Sequence, residues 1–215
     1  MSTGAWPAER PLRAEREPAP PAEIGRLGMW VFIGSEVLFF GGLFVAYLYG
    51  RTHWPQGFAA AGRHTDVVLG TLNTGVLLTS SAVIALAVAC SEHLAHRRFV
   101  ARLLWVTAAL GVAFVVIKGL EYRHEWQEGL FPGPQFPIGV PGAQLFFMLY
   151  FLTTGLHAVH LAIGITGVSA LAWGSAHARP WAAPRHIDLM ALYWHFVDVV
   201  WIFLYPLLYL VERHS

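Results

Sequence analysis

From Gly129 through Ala178 this chain carries no aspartate, glutamate, lysine or arginine. A water-exposed surface cannot be assembled from a run of that length, so the solvent around much of this protein is not water. The remaining composition agrees. Charged residues make up 13% of 215 residues, against roughly 25% in an average soluble chain. Hydrophobic residues reach 56%, and the mean hydropathy is +0.51. These values exclude a soluble globular enzyme, a disordered chain and a nucleic-acid binder that works through a basic face. A formal charge of +1 gives no hint of an anionic partner, and one cysteine, Cys90, excludes a disulfide framework or a cysteine-based metal site. An integral membrane protein remains.

A spanning helix needs about 20 predominantly apolar residues. Five segments qualify: Leu27 to Gly50, Val67 to Cys90, Leu103 to Trp126, Gly142 to Trp173 and Ile187 to Val211. Uninterrupted runs of this kind predict helices rather than barrel strands, whose signature is a short alternation. The fold expected is all-α, a polytopic bundle of five transmembrane helices formed by residues 24–215. Residues 1–23 mix prolines with alternating arginine and glutamate and lack the apolar core of a signal peptide, so they read as a disordered or loosely held cytoplasmic tail. Lysine and arginine on the two sides set the orientation. The side holding the N-terminus has nine (Arg10, Arg13, Arg16, Arg26, Arg97, Arg98, Arg102, Arg179 and Arg185), and the other has four (Arg51, Arg63, Arg123 and Arg213). The expected topology in the cell (inner) membrane therefore has the N-terminus cytoplasmic and the C-terminus periplasmic.

Ionisable groups inside a span are costly and are functional candidates for that reason. At a rise of about 1.5 Å per residue, Glu36 lies roughly 15 Å from the inner end of its helix. By the same count, His195 lies at about 12 Å, Asp198 at about 17 Å and His160 near 20 Å, with His157 one turn away. Four of these five groups thus share a level. His195 and Asp198, at i and i+3, read as a local hydrogen-bonded pair. Glu36 has no partner on its own helix, so it is protonated, paired across helices, or open to water or a lipid head group. Lys118 and Glu121 read as an ion pair near the outer interface, where the lysine would snorkel. Small residues on the second span (Gly70, Thr74, Gly75) and the fourth (Gly155, Gly164) are suited to close helix packing. No residue set has the form of a nucleophile with its base and orienter, so no catalytic residue and no metal ligand is assigned.

Several stretches resemble subunit III of the haem-copper terminal oxidases. LGMWVFIGSEVLFFGGLFVAYL (Leu27–Leu48) looks like that family's helix with a buried glutamate, here Glu36. LNTGVLLTS (Leu72–Ser80), KGLEY (Lys118–Tyr122), TTGLHAVHLAIG (Thr153–Gly164) and YWHFVDVVWIFLY (Tyr193–Tyr205) match in family order. Larger members have seven helices, so this chain is similar to the short five-helix form of cytochrome c and quinol oxidases. It has Ala158 where many members have glycine. The resemblance implies a non-catalytic subunit of a proton-pumping complex that reduces oxygen to water. Haem and copper would lie in partner subunits, with subunit I and subunit II as neighbours and no cofactor in this chain. It also implies bound phospholipid, with Glu36, His157 and His160 near the lipid cleft, and a role in sustaining proton uptake. His195 and Asp198 fall on polar anchors of the last helix. Two other readings stay open: a homologue attached to nitric oxide reductase, and a small b-type cytochrome using His157, His160 and His195. A channel or transporter using Glu36 and Asp198 lacks the repeats and broken helices of such folds. No nucleic-acid partner is expected. The charge count makes one direct prediction. A reporter active only outside the cytoplasm, fused after Ser215, is expected to be active, and a cytoplasm-only reporter there silent; the reverse pattern inverts the topology.

Overall fold

The computed structural model describes residues 21–91, 97–134 and 136–210. The tail assigned to residues 1–23 falls largely outside the described residues, and so does the expected end of the last span at Val211. The elements in chain order are α1 (Pro21–His53), α2 (Pro55–Gly62), α3 (Val67–Ser91), α4 (Arg97–Gln127), α5 (Ala143–Ala176) and α6 (Pro184–Tyr205). α6 runs directly into a π turn, Pro206–Leu210. Among the described residues no strand occurs, and five helices are long and apolar enough to cross a membrane. The protein is an all-α, multi-pass membrane protein.

Local chemistry explains the boundaries. Asp66 stops the chain before the apolar run of α3 by accepting hydrogen bonds from the backbone N–H of Val68 (2.9 Å) and Leu69 (3.1 Å), the usual work of an N-terminal cap. Pro55 and Pro184 stand at the first positions of α2 and α6, where the missing N–H has no helical partner to lose. Pro206 follows Tyr205 and cannot donate to the preceding turn, and there the ladder widens into the π turn. Gly142 precedes α5 with φ 91°, and a Cβ there would run into the Trp54 side chain. The short helix α2 was not expected from sequence. Its eight residues are too few for a span, and Phe58 and Ala61 seat it on the bundle.

α3, α4, α5 and α6 form the packed core, and α1 lies outside it against α5 and α6. The difference is large: 11% of the α1 apolar window is buried, against 56% for the last helix. A row of polar contacts joins α3 to α6. Trp194 Nε1 donates to Ser80 Oγ (3.0 Å), Trp201 Nε1 donates to Thr74 Oγ1 (3.0 Å), and the hydroxyls of Tyr205 and Thr71 meet at 2.6 Å. In a bundle, small hydroxyl residues serve in this way as acceptors between helices. Thr74 is therefore an acceptor for an indole as well as a small residue at a contact.

The glycines divide by environment. A Cβ on Gly70 would touch the Tyr205 and Tyr209 rings, and one on Gly164 would press on Trp194 and Tyr193. Gly111, not singled out from sequence, is tighter still, with Trp194 Cη2 at 2.8 Å and Ile165 Cγ1 at 2.9 Å from a built Cβ. Gly75 meets nothing within 4 Å, and Gly155 has only the Tyr122 hydroxyl at 4.0 Å. Gly111→Ala is accordingly expected to destabilise the purified subunit by about 1–3 kcal/mol, the usual cost of overpacking, seen as a lower thermal midpoint. Gly75→Ala is expected to leave that midpoint unchanged.

Candidate functional site

Two groups of ionisable residues lie inside the bundle, on different faces of α5. The first joins α1 to α5. Glu36 Oε2 sits 3.2 Å from His160 Nε2, with side chains 19% and 16% exposed. His160 Nδ1 is 2.8 Å from the Leu156 carbonyl oxygen. A carbonyl only accepts, so Nδ1 carries a hydrogen. Phe40 lies edge-on to the His160 ring at 5.5 Å, and Tyr193 donates to the His160 carbonyl at 2.8 Å. The histidine is thus held from α1 and α6 together. Counting depth along the helices placed Glu36 and His160 near one level, and the structure brings them into contact.

The second group joins α4, α5 and the π turn. Lys118, Glu121 and Glu125 are only 3%, 2% and 2% exposed. Lys118 Nζ lies 3.1 Å from Glu121 Oε2 and donates to the hydroxyls of Tyr150 (2.6 Å) and Tyr209. The Tyr150 hydroxyl stands 2.5 Å from Glu125 Oε1 and 2.9 Å from Glu121 Oε1, and Tyr209 donates to Glu121 Oε1 at 2.7 Å. Four rings surround the ammonium, those of Tyr150 (4.4 Å), Tyr122 (5.1 Å), Tyr209 (5.1 Å) and Trp201 (5.8 Å). The Tyr122 hydroxyl is hydrogen-bonded to Thr154 Oγ1.

The snorkelling lysine expected from sequence is therefore corrected. Lys118 pairs with Glu121, but it points into the core. Gly111, Phe114, Lys118, Glu121 and Glu125 are all buried and follow one another at three or four residues, so they form a single inward stripe on α4. That spacing was readable, and the shared face of Glu125 was the signal passed over. Tyr150 and Tyr209 carried no comparable mark, because tyrosines near membrane ends are ordinary belt residues.

The other candidates are placed as follows. His157 is 1% exposed and points away from Glu36, its ring against Phe114 (5.5 Å) and Trp201 (5.2 Å). Neither of its nitrogens has a hydrogen-bond partner among the described residues. His157 and His160 thus do not act as a pair. His195 Nδ1 meets Ser81 Oγ at 2.7 Å rather than Asp198. Both Asp198 oxygens are buried without a hydrogen bond among the described residues, so the expected His195–Asp198 pair is not formed. Across the i, i+3 step both side chains turn toward α3, where Ser81 meets the histidine. Among the described residues no group of three or more His, Cys, Asp or Glu is placed to hold a metal ion.

Comparison with known proteins agrees with the bundle and its motifs. The model of the family described as cytochrome c oxidase subunit III matches residues 21–212. The chain belongs to that family. It is 35% identical over 195 residues to cytochrome c oxidase subunit 3 of Thermostichus vulcanus, covering 87% of each chain. It is 28% identical over 193 residues to a probable quinol oxidase subunit 3 of Staphylococcus epidermidis, covering 88% of this chain and 90% of that one. It is also 32% identical to heme-copper oxidase subunit I+III of Aeropyrum pernix, over 94% of this chain but 24% of that much longer protein. As a subunit III family member the chain is a respiratory oxidase subunit, and both buried groups lie within the matched residues.

Removing one partner of a buried ion pair costs about 3–5 kcal/mol, because a charge is left uncompensated. Lys118→Met is expected to lower the yield and thermal midpoint of the folded subunit accordingly. Lys118→Met combined with Glu121→Gln and Glu125→Gln is expected to recover much of the loss. A single variant as stable as wild type shows that the cluster is not an electrostatic unit.

Proposed function

We propose that this chain is the non-catalytic, structural subunit of a haem-copper oxidase, packed against subunit I, with lipid at the α1–α5 seam and a supporting role in proton uptake. The observation that carries the reading is the subunit III match over residues 21–212. Association with subunit I is supported by the Aeropyrum pernix relative, in which I and III are one polypeptide by name. Sequences so joined need to lie side by side in the membrane. The oxygen chemistry, with its haem and copper, belongs to the neighbouring subunits. What this chain supplies is a bundle in which Lys118 is paired with Glu121 inside the core and whose outer helix is free to meet lipid or protein.

Glu36 and His160 support the lipid and proton parts of the reading. Their contact ties α1 to α5 at 3.2 Å, at mid-membrane by helical count, with both side chains partly exposed at the seam. The cytoplasmic position of the N-terminus follows from the arginine count and places the α3–α4 and α5–α6 connections on the cytoplasmic side.

The test is purification of the intact complex through a tag on this chain. A co-purifying haem- and copper-containing subunit I with oxygen-reducing activity is expected; a nitric-oxide-reducing partner changes the assignment of the complex. In that preparation Glu36→Gln is expected to assemble normally and keep most of the oxygen turnover, since the reacting atoms lie elsewhere. Loss of turnover in a fully assembled complex overturns the non-catalytic reading.

A further inference from the structure

The π turn Pro206–Leu210 is five residues long, yet five separate parts of the chain hold it at the outer end of the bundle. From α1, the Tyr47 hydroxyl donates to the Leu207 carbonyl at 2.5 Å. From the connection before α3, the Thr65 hydroxyl reaches the Leu208 carbonyl at 3.4 Å. Carbonyls at the end of a helix lack an intrahelical donor, and these side chains supply one. On α3 the turn meets Gly70, where a built Cβ would lie 3.0 Å from the Tyr209 ring, so the missing side chain is what seats that ring. On α4 and α5 the Tyr209 hydroxyl accepts from Lys118, donates to Glu121 Oε1 at 2.7 Å and stands 3.4 Å from the Tyr150 hydroxyl.

Within the Lys118 cluster Tyr209 differs from the rest. Lys118, Glu121 and Glu125 lie on α4 and Tyr150 on α5, so none of them can withdraw unless a long packed helix moves. Tyr209 withdraws with a single turn, joined to α6 at Pro206, whose ring removes one ladder hydrogen bond. Short elements of this kind open at lower free energy than the packed helices they adjoin. Without Tyr209, Lys118 loses one of its three acceptors and Glu121 loses a donor. Lys118 stands nine residues before Gln127, the end of α4, or about 14 Å along the axis. From there its stem can swing toward the outer interface, as lysines near membrane ends do.

We propose that the π turn is a latch that gives the outer half of α4 two settings. Closed, Tyr209 sits on Gly70 and completes the shell of Lys118. Released, the turn leaves Gly70, the lysine turns outward, and water reaches the outer half of α4. The cytoplasmic half stays packed in both settings, because its ties lie elsewhere. Trp194 with Ser80 and His195 with Ser81 hold α6 to α3 there, and Trp194 is fifteen residues from Tyr209, about 22 Å along the axis. The latch lies within this chain and does not depend on the identity of the catalytic partner.

Hydrogen–deuterium exchange read by mass spectrometry, on the complex purified through this chain, tests the latch. Tyr209→Phe keeps the ring and removes the hydroxyl. It is expected to quicken exchange of amides 114–127 and 67–74 about tenfold or more, for lost hydrogen bonds to charged groups, while amides 80–91 and 184–194 exchange as in wild type. Gly70→Ala, which blocks the seat of the ring without touching a charge, is expected to quicken the same amides. Adding Lys118→Met, Glu121→Gln and Glu125→Gln to Tyr209→Phe is expected to restore slow exchange, because no lysine is left to turn outward. Wild-type exchange of amides 114–127 in Tyr209→Phe, or a rise spread equally over both halves, overturns the proposal. Should Tyr209→Phe fail to assemble, wild type is followed in rising urea. Amides 114–127 are then expected to open before amides 80–91, and simultaneous opening overturns the latch.

Discussion

A lysine ammonium cannot be left in hydrocarbon without compensation, and the architecture around Lys118 is arranged to supply it. The compensation comes from three places in the chain: Glu121 and Glu125 on its own helix, Tyr150 on α5, and Tyr209 on the π turn. None of these reaches the others unless α4, α5 and the end of α6 are docked in one register. The ion cluster therefore works as a registration device. Its net contribution to stability is modest or even unfavourable compared with an apolar filling, but displacing any of the three elements strands a charge. The π turn gains its meaning here, because after Pro206 the widened ladder is what leads Tyr209 to the lysine.

The core helices are fixed a second time by the contacts of α3 with α6. Thr71, Thr74, Ser80 and Ser81 each meet a ring atom or hydroxyl from α6. Hydrophobic driving force is weak between helices already surrounded by lipid tails, so such directional contacts and close approach at Gly111 and Gly164 decide the arrangement. α1 takes part in little of this. Its ties include the Tyr47 hydroxyl bonded to the Leu207 carbonyl at 2.5 Å, the Phe40 ring against His160 and Phe196, the Phe32 and Phe44 rings near Tyr193 and Phe203, and the Glu36–His160 contact.

Much of this was legible in the sequence, and the limits have physical causes. The five spans, the all-α fold and the subunit III family follow from apolar length and from motifs spread over every span. Depth was legible too, because a helix rises uniformly, and Glu36 with His160 shows how far that reasoning reaches. Azimuth was not. Whether His157 turns to the core or to α1 depends on how α5 is rotated in the bundle, which its nearly all-apolar sequence leaves open. The same gap explains His195, whose partner lies on α3 rather than one turn along its own helix. For Lys118, closeness to the membrane end favoured snorkelling, and the inward stripe through Gly111, Phe114 and Glu125 outweighs it. The helix α2 was hidden for a different reason, since its small residues carry no period of their own.

The two ionic groups differ in how far they are enclosed. Lys118, Glu121 and Glu125 are buried and joined through the Tyr150 and Tyr209 hydroxyls, which ties α4 to α5 and to the π turn. The Glu36–His160 contact is open by roughly a sixth to a fifth of each side chain, and it bridges a peripheral helix to the core. α1 also meets α6, through the Phe32–Tyr193 and Phe44–Phe203 rings, so the seam is bounded by the last helix as well.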